Sequence, residues 1–90
     1  MKLPILCPSC QSKLTVKTLN CEKCLTKVDG NFKMPLLAAI PEDAQQFIIE
    51  FVKNSGSLKE MAKTMSLSYP TVRNRLDEII NTLKTIENEH

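Results

Sequence analysis

Ninety residues with a formal net charge of +2, 42% hydrophobic and 4% aromatic, describe a small chain too close to neutral to hold polyanions by bulk charge. The charge is uneven: residues 1–40 carry six lysines against Glu22 and Asp29, while residues 41–90 carry six Lys/Arg against eight Asp/Glu, formally +4 and −2. All four cysteines lie in the first part, which excludes a uniform domain, and the longest aliphatic run, Leu36 to Ile40, falls far short of the ~20 residues of a membrane span.

The opening run Leu3 to Leu6 is too short for a signal-peptide core, and proline and cysteine follow it. This predicts a soluble, cytoplasmic chain in which thiols stay reduced. Cys7-Pro-Ser-Cys10 and Cys21-Glu-Lys-Cys24 are two tight turns, each presenting a pair of soft sulfurs. Together they predict a closed four-sulfur shell for one Zn2+ ion. A closed shell leaves no position for an activated water, so the zinc is expected to be structural. Two disulfides or a redox dithiol would use the same residues, but disulfides need an export route that the sequence does not show. Knuckles of this type often place glycine just past the second cysteine, where φ tends to be positive. Gln11 and Leu25 stand there instead, at a cost on the order of 1 kcal/mol each. Between the pairs, the alternation of Lys13-Leu14-Thr15-Val16-Lys17 predicts a strand. A second is expected near Lys27 to Met34, interrupted by a turn at Asp29-Gly30 or Gly30-Asn31. The ribbon is thus assigned to residues 1–34.

Pro35 and Pro41 bracket an apolar connector, residues 35–41, read either as packing between the two parts or as a docking segment for another chain. From residue 42 the period becomes helical. Pro41 at the first helical position, with Glu42 and Asp43 in the first turn, predicts a helix start. Ala44, Phe47, Ile48, Phe51 and Val52 recur at helical spacing, and Asn54-Ser55-Gly56 ends the run. Ser57-Leu-Lys-Glu60 reads as a capping box in which Glu60 reaches back to the Ser57 amide. A short helix over about 58–65 turns Leu58, Met61, Ala62 and Met65 inward. Ser66-Leu67-Ser68 is a tight connection, with Leu67 as its plug and Ser68 as the cap of a third helix whose first turn tolerates Pro70.

Helix, tight turn and helix, with small Ala62 at the approach and Val72 facing back, is helix-turn-helix grammar. An ordinary αα-corner uses the same apolar spacing. The polar opening of the third helix favours the nucleic-acid reading: Ser68, Tyr69, Thr71, Arg73, Asn74 and Arg75 can reach phosphates and base edges. The recognition helix is placed at 69–82, with Arg73 and Arg75 flanking Asn74. Asp77 and Glu78 would repel phosphates, so only its N-terminal two turns can enter a major groove. Lys59 and Lys63 on the preceding helix are candidate phosphate contacts. Val72, Leu76, Ile79, Leu83 and Ile86 form a stripe that either covers the chain's own first helix or pairs with a second copy. A homodimer through Val72–Ile86 would add phosphate contacts. Glu87 to His90 is a polar tail, and His90 is given no role.

The predicted fold class is therefore small α+β: an N-terminal zinc ribbon of short antiparallel strands, then a three-helix helix-turn-helix domain over 42–90 with an extended C-terminal helix. The chain resembles a family of small bacterial proteins of unknown function with this arrangement. The resemblance is carried by the two Cys-x-x-Cys pairs, by Asn31-Phe-Lys-Met-Pro-Leu-Leu, and by Leu58-Lys-Glu-Met-Ala with Ser68-Tyr-Pro-Thr-Val-Arg-Asn-Arg-Leu-Asp-Glu-Ile. The helical half is also similar to the helix-turn-helix of sigma factors and response regulators, which share a Ser-x-x-Thr-Val opening. The resemblance implies a transcriptional regulator that binds double-stranded DNA and holds zinc on Cys7, Cys10, Cys21 and Cys24. The alternative is an adaptor docking on RNA polymerase, a sigma factor or another regulator, favoured by the acidic helical half. An enzyme is not expected, because the sole histidine is terminal and no Ser/His or paired-carboxylate arrangement accompanies the sulfurs.

Overall fold

The computed structural model describes residues 2–89, so His90 lies outside the described residues. The chain divides into two compact units, one ending at Ala39 and the next beginning at Ile40. The apolar connector is therefore not a unit of its own. Its Leu36–Ala38 stretch forms a single 3-10 turn, and Ile40 belongs to the helical core.

The first unit is built from two copies of one small device. In each, a tight turn of six residues starts at a cysteine and is closed by paired backbone bonds. In the first, the Cys7 amide donates to the Ser12 carbonyl (2.8 Å) and the Gln11 amide to the Cys7 carbonyl (2.9 Å). In the second, Cys21 donates to Thr26 (2.8 Å) and Leu25 to Cys21 (2.8 Å). The residues flanking each turn pair antiparallel, Leu6 with Lys13 and Asn20 with Lys27. Only the second pairing extends into a ladder, of β1 (Val16–Asn20) and β2 (Lys27–Phe32).

Both strands differ from expectation. The first starts at Val16 rather than Lys13, because Lys13 and Leu14 are drawn into pairing with residues 5 and 6 around the first turn. The second is continuous through Asp29-Gly30-Asn31, where a turn was expected. The extra residue is absorbed as a bulge: Thr18 faces Asp29, but two residues earlier Val16 faces Phe32. Gly30 permits this because the Phe32 ring lies over it, with ring atoms 2.5–2.7 Å from where a β-carbon would stand. The Thr18 hydroxyl donates to the Asp29 carboxylate across the ladder at 2.7 Å.

The second unit holds α1 (Glu42–Lys53), α2 (Leu58–Met65) and α3 (Tyr69–Glu89). Pro41 sits one position earlier than expected. It is the N-cap, with an extended ψ of 150°, and its carbonyl accepts from the Gln45 amide. At the end of α1 the Asn54 side chain donates to the Glu50 carbonyl (2.7 Å), and the Gly56 amide closes on Phe51 (2.8 Å). The expected capping box is half formed. Ser57 Oγ accepts from the Glu60 amide (3.2 Å), but the Ser57 amide donates to the Asn54 carbonyl, so Glu60 turns outward to Lys63 at 3.7 Å.

Between α2 and α3 the chain reverses through Ser66 in the left-handed region (φ 56°), and the Leu67 amide closes on the Ala62 carbonyl at 2.9 Å. Ser68 Oγ then caps α3 by accepting from the Thr71 amide (3.3 Å). Leu67 does not plug the turn; it stays 41% exposed. Ile40, Ala44, Phe47, Met61, Val72 and Ile79 form the core, and Leu76, Leu83 and Ile86 pack on it with Ile48, Phe51, Leu58, Ala62 and Met65. The Val72–Ile86 stripe therefore packs on this chain's own helical core.

Relieving the left-handed turn should stabilise the helical unit. Ser66→Gly is expected to gain about 1 kcal/mol, whereas Val72→Ala should lose about 2 kcal/mol through an uncollapsed cavity. Urea denaturation followed by circular dichroism measures both; an unchanged midpoint for Ser66→Gly would contradict the turn argument.

Candidate metal centre and nucleic-acid interface

The two cysteine turns depend on the backbone just after each second cysteine. Gln11 and Leu25 both adopt positive φ, 65° and 64°, as the spacing required. The Ser9 amide donates to Cys7 Sγ at 3.4 Å. A hydroxyl stands two residues beyond each second cysteine, at Ser12 and Thr26. The Ser12 hydroxyl foremost, then its amide and the Cys7 thiol, holds Cys10 below the ordinary thiol pKa. Thr26 does the same for Cys24, with its hydroxyl oxygen 3.0 Å from Cys24 Sγ, followed by its amide and Cys21. Hydrogen bonds to a thiolate favour the charged form, which is the metal-binding form. Ser12 and Thr26 were not singled out from the sequence, although their equal offset from Cys10 and Cys24 was a readable signal.

All four cysteines are free thiols in the structure. They come together two by two. Among the described residues, no group of three or more His, Cys, Asp or Glu side chains is gathered closely enough to hold one ion. The donor set nevertheless fits zinc: four soft sulfurs in two pairs, each pair supported by amide and hydroxyl donors, in a unit with almost no core. Among the described residues of the first unit only Met34 is buried, while Leu19, Leu25, Val28 and Phe32 are all exposed. A ribbon of about 40 residues without a core needs a cross-link or a metal to fold.

The polar residues expected at the nucleic-acid interface fall into two groups. Ser68, Tyr69, Thr71, Arg73 and Asn74 are all exposed at the start of α3, with Tyr69 at 52% and the Ser68 and Thr71 hydroxyls joined at 2.7 Å. Lys59 and Lys63 are exposed on α2. Arg75 departs from this group. Its Nη2 donates to Asp43 of α1 at 3.2 Å, its guanidinium lies 5.9 Å from the centre of the Phe47 ring, and its Nε is buried without an acceptor. Asn74 is thus flanked by one outward arginine, because residue 75 rotates toward α1 on the helical wheel. Arg73 in turn pairs with Asp77 at 3.5 Å.

Two family models match the chain. A zinc ribbon described as the DUF2089 zinc ribbon matches residues 7–38, and a helix-turn-helix described as a domain of unknown function (DUF2089) matches residues 40–86. The junction between them coincides with the boundary between the two compact units. No curated protein and no solved structure shows significant similarity to the chain.

Glycine at the two left-handed knuckle positions should favour the metal-binding form. Gln11→Gly with Leu25→Gly is expected to tighten zinc about 5-fold or more per site, corresponding to about 1 kcal/mol each. Competition against a chromophoric chelator reads the change, and equal affinities would show that these positions carry no strain.

Proposed function

Because the chain belongs to the DUF2089 family, which joins a zinc ribbon to a helix-turn-helix, we propose that it is a transcriptional regulator binding double-stranded DNA through the start of α3. The observation that carries this reading is the division of α3 into two faces. Val72 and Ile79 are buried in the core, while Ser68, Tyr69, Thr71, Arg73 and Asn74 stand exposed beyond a closed turn. Such an N-terminal turn can enter a major groove, where Asn74 pairs with adenine edges and Arg73 with guanine, and the hydroxyls meet phosphates. Lys59 and Lys63 extend the phosphate contacts along α2. Arg75 stands apart from this exposed group, since in the free protein its guanidinium ties α3 to α1.

Cys7, Cys10, Cys21 and Cys24 hold one structural zinc ion, which supplies the cross-link that the core-poor ribbon otherwise lacks. A closed four-thiolate shell activates no water, so no catalytic role is assigned. Among the described residues no helix is long and apolar enough to cross a membrane, and a reduced cytoplasm suits the free thiols. One observation favours an adaptor as a second reading: Lys63, Arg73 and Arg75 are each paired with a carboxylate, which weakens attraction to phosphate. Docking on transcription machinery would then use the same exposed opening of α3.

Arg73→Ala with Asn74→Ala should reduce duplex affinity by roughly 10- to 100-fold at low salt, about 1–3 kcal/mol, with an unchanged helical spectrum. Fluorescence anisotropy on a randomised duplex pool checks it; parental affinity in the double variant would remove the recognition role from α3. Metal analysis with thiol titration should find one zinc and four protected thiols per chain, and chelation should release all four. Two protected thiols, or a ribbon that keeps its amide dispersion without metal, would contradict the four-sulfur site.

A further inference from the structure

The cations around the opening of α3 are matched almost one for one by carboxylates. Lys59, Lys63, Arg73 and Arg75 share α1, α2 and α3 with Glu60, Asp77, Glu78 and Asp43, and three of the four cations are paired with a carboxylate. Two of these pairs lie within one helix, Lys63 with Glu60 and Arg73 with Asp77. The pair between Arg75 and Asp43 is different. It joins α3 to α1, over 32 positions of sequence, and the arginine carries a second anchor on the Phe47 ring.

We infer that Asp43 is a specificity-determining residue that acts as an internal phosphate surrogate, holding Arg75 away from DNA until the correct site is engaged. The inference rests on the DNA-binding reading above. A carboxylate oxygen 3.2 Å from Nη2 makes the charge-assisted contact that a phosphate oxygen would make. The Asp43 side chain is 71% exposed and that of Arg75 38% exposed, so water and phosphate can reach the pair and exchange for the carboxylate. The clasp also leaves the Arg75 Nε buried with no acceptor, a cost that favours release once a better acceptor is offered. The Asp43 Oδ1 atom has a separate local role, accepting from the Ala44 amide at 3.0 Å, which asparagine can retain. Holding one arginine in reserve lowers attraction to any phosphate backbone, and so lowers binding to sequences that offer nothing else.

The full-length, zinc-loaded protein and its Asp43→Asn variant are compared on a random-sequence duplex over a salt series. Asp43→Asn should tighten this non-specific binding by roughly 3- to 10-fold at low salt and steepen the log–log salt slope by about 0.9, the increment of one added phosphate contact. In an Arg75→Gln background the same substitution should change little. Arg75→Met, which keeps an apolar stem over Phe47, serves that arm if Arg75→Gln loses its helical spectrum. Unchanged or weaker binding by Asp43→Asn overturns the inference while leaving DNA binding intact. Equal tightening with and without Arg75 also overturns it, because the effect would then be bulk charge. If neither the parent nor Asp43→Asn binds duplex at the lowest salt, the DNA-binding reading and this inference fall together.

Discussion

Every sharp reversal that places a candidate functional side chain passes through a left-handed backbone residue. Among the described residues these are Gln11, Leu25, Ser55, Gly56 and Ser66. Only one is glycine, so the chain accepts backbone strain on the order of 1 kcal/mol at each of the others. Gln11 and Leu25 close the cysteine turns, and Ser66 sets α3 against α2. Without these residues the sulfurs would not pair, and the opening of α3 would not project. The strain is tolerated because each turn is over-determined by backbone hydrogen bonds of 2.8–2.9 Å.

The two units meet the cost of folding in different ways. The helical unit buries Ile40, Met61 and Val72 completely and packs three helices around them. Hydrophobic burial at ~25 cal/mol per Å2 is a sufficient driving force there. The ribbon has a two-stranded sheet whose β2 is exposed along its whole length. An isolated two-stranded hairpin is marginal in water, so its order must come from the paired turns and from what the thiols bind. A core-poor unit of this size needs a metal or a cross-link to fold, and the paired cysteines of the zinc ribbon are placed to meet that need.

Charge placement decides more than net charge. The +2 total conceals a lysine-rich ribbon and a helical face on which cations and carboxylates nearly cancel. Exposed pairs such as Lys63 with Glu60 and Arg73 with Asp77 contribute little to stability, about 0–1 kcal/mol. In the proposed DNA-binding reading their effect falls on binding, because a phosphate must displace a carboxylate before gaining an arginine. Asp43 and Phe47 come from α1, far in sequence from Arg75, yet they decide where that arginine points.

The local features were legible in the sequence because local rules govern them. Cys-x-x-Cys spacing, positive φ at residues 11 and 25, the Ser57 and Ser68 caps and the three helices follow from stereochemistry within a few residues. The inward stripe from Val72 to Ile86 was legible as a stripe, but its partner was not, since periodicity marks a buried face without naming what covers it. The strand bounds and the turn differed from expectation: Lys13 pairs around the first cysteine turn, and β2 runs through Gly30 with a bulge rather than a reversal. The capping box lost its second half because the Ser57 amide found the Asn54 carbonyl first. By itself the sequence determined the two-part architecture, the zinc-binding donor set and the helix-turn-helix, all written in short-range spacing. Only the tertiary structure decided that Arg75 belongs to α1 and that the C-terminal stripe closes its own core. The Arg75–Asp43 contact spans 32 positions and the stripe closes on helices earlier in the chain, and no local pattern encodes which of several charged or apolar partners will be nearest.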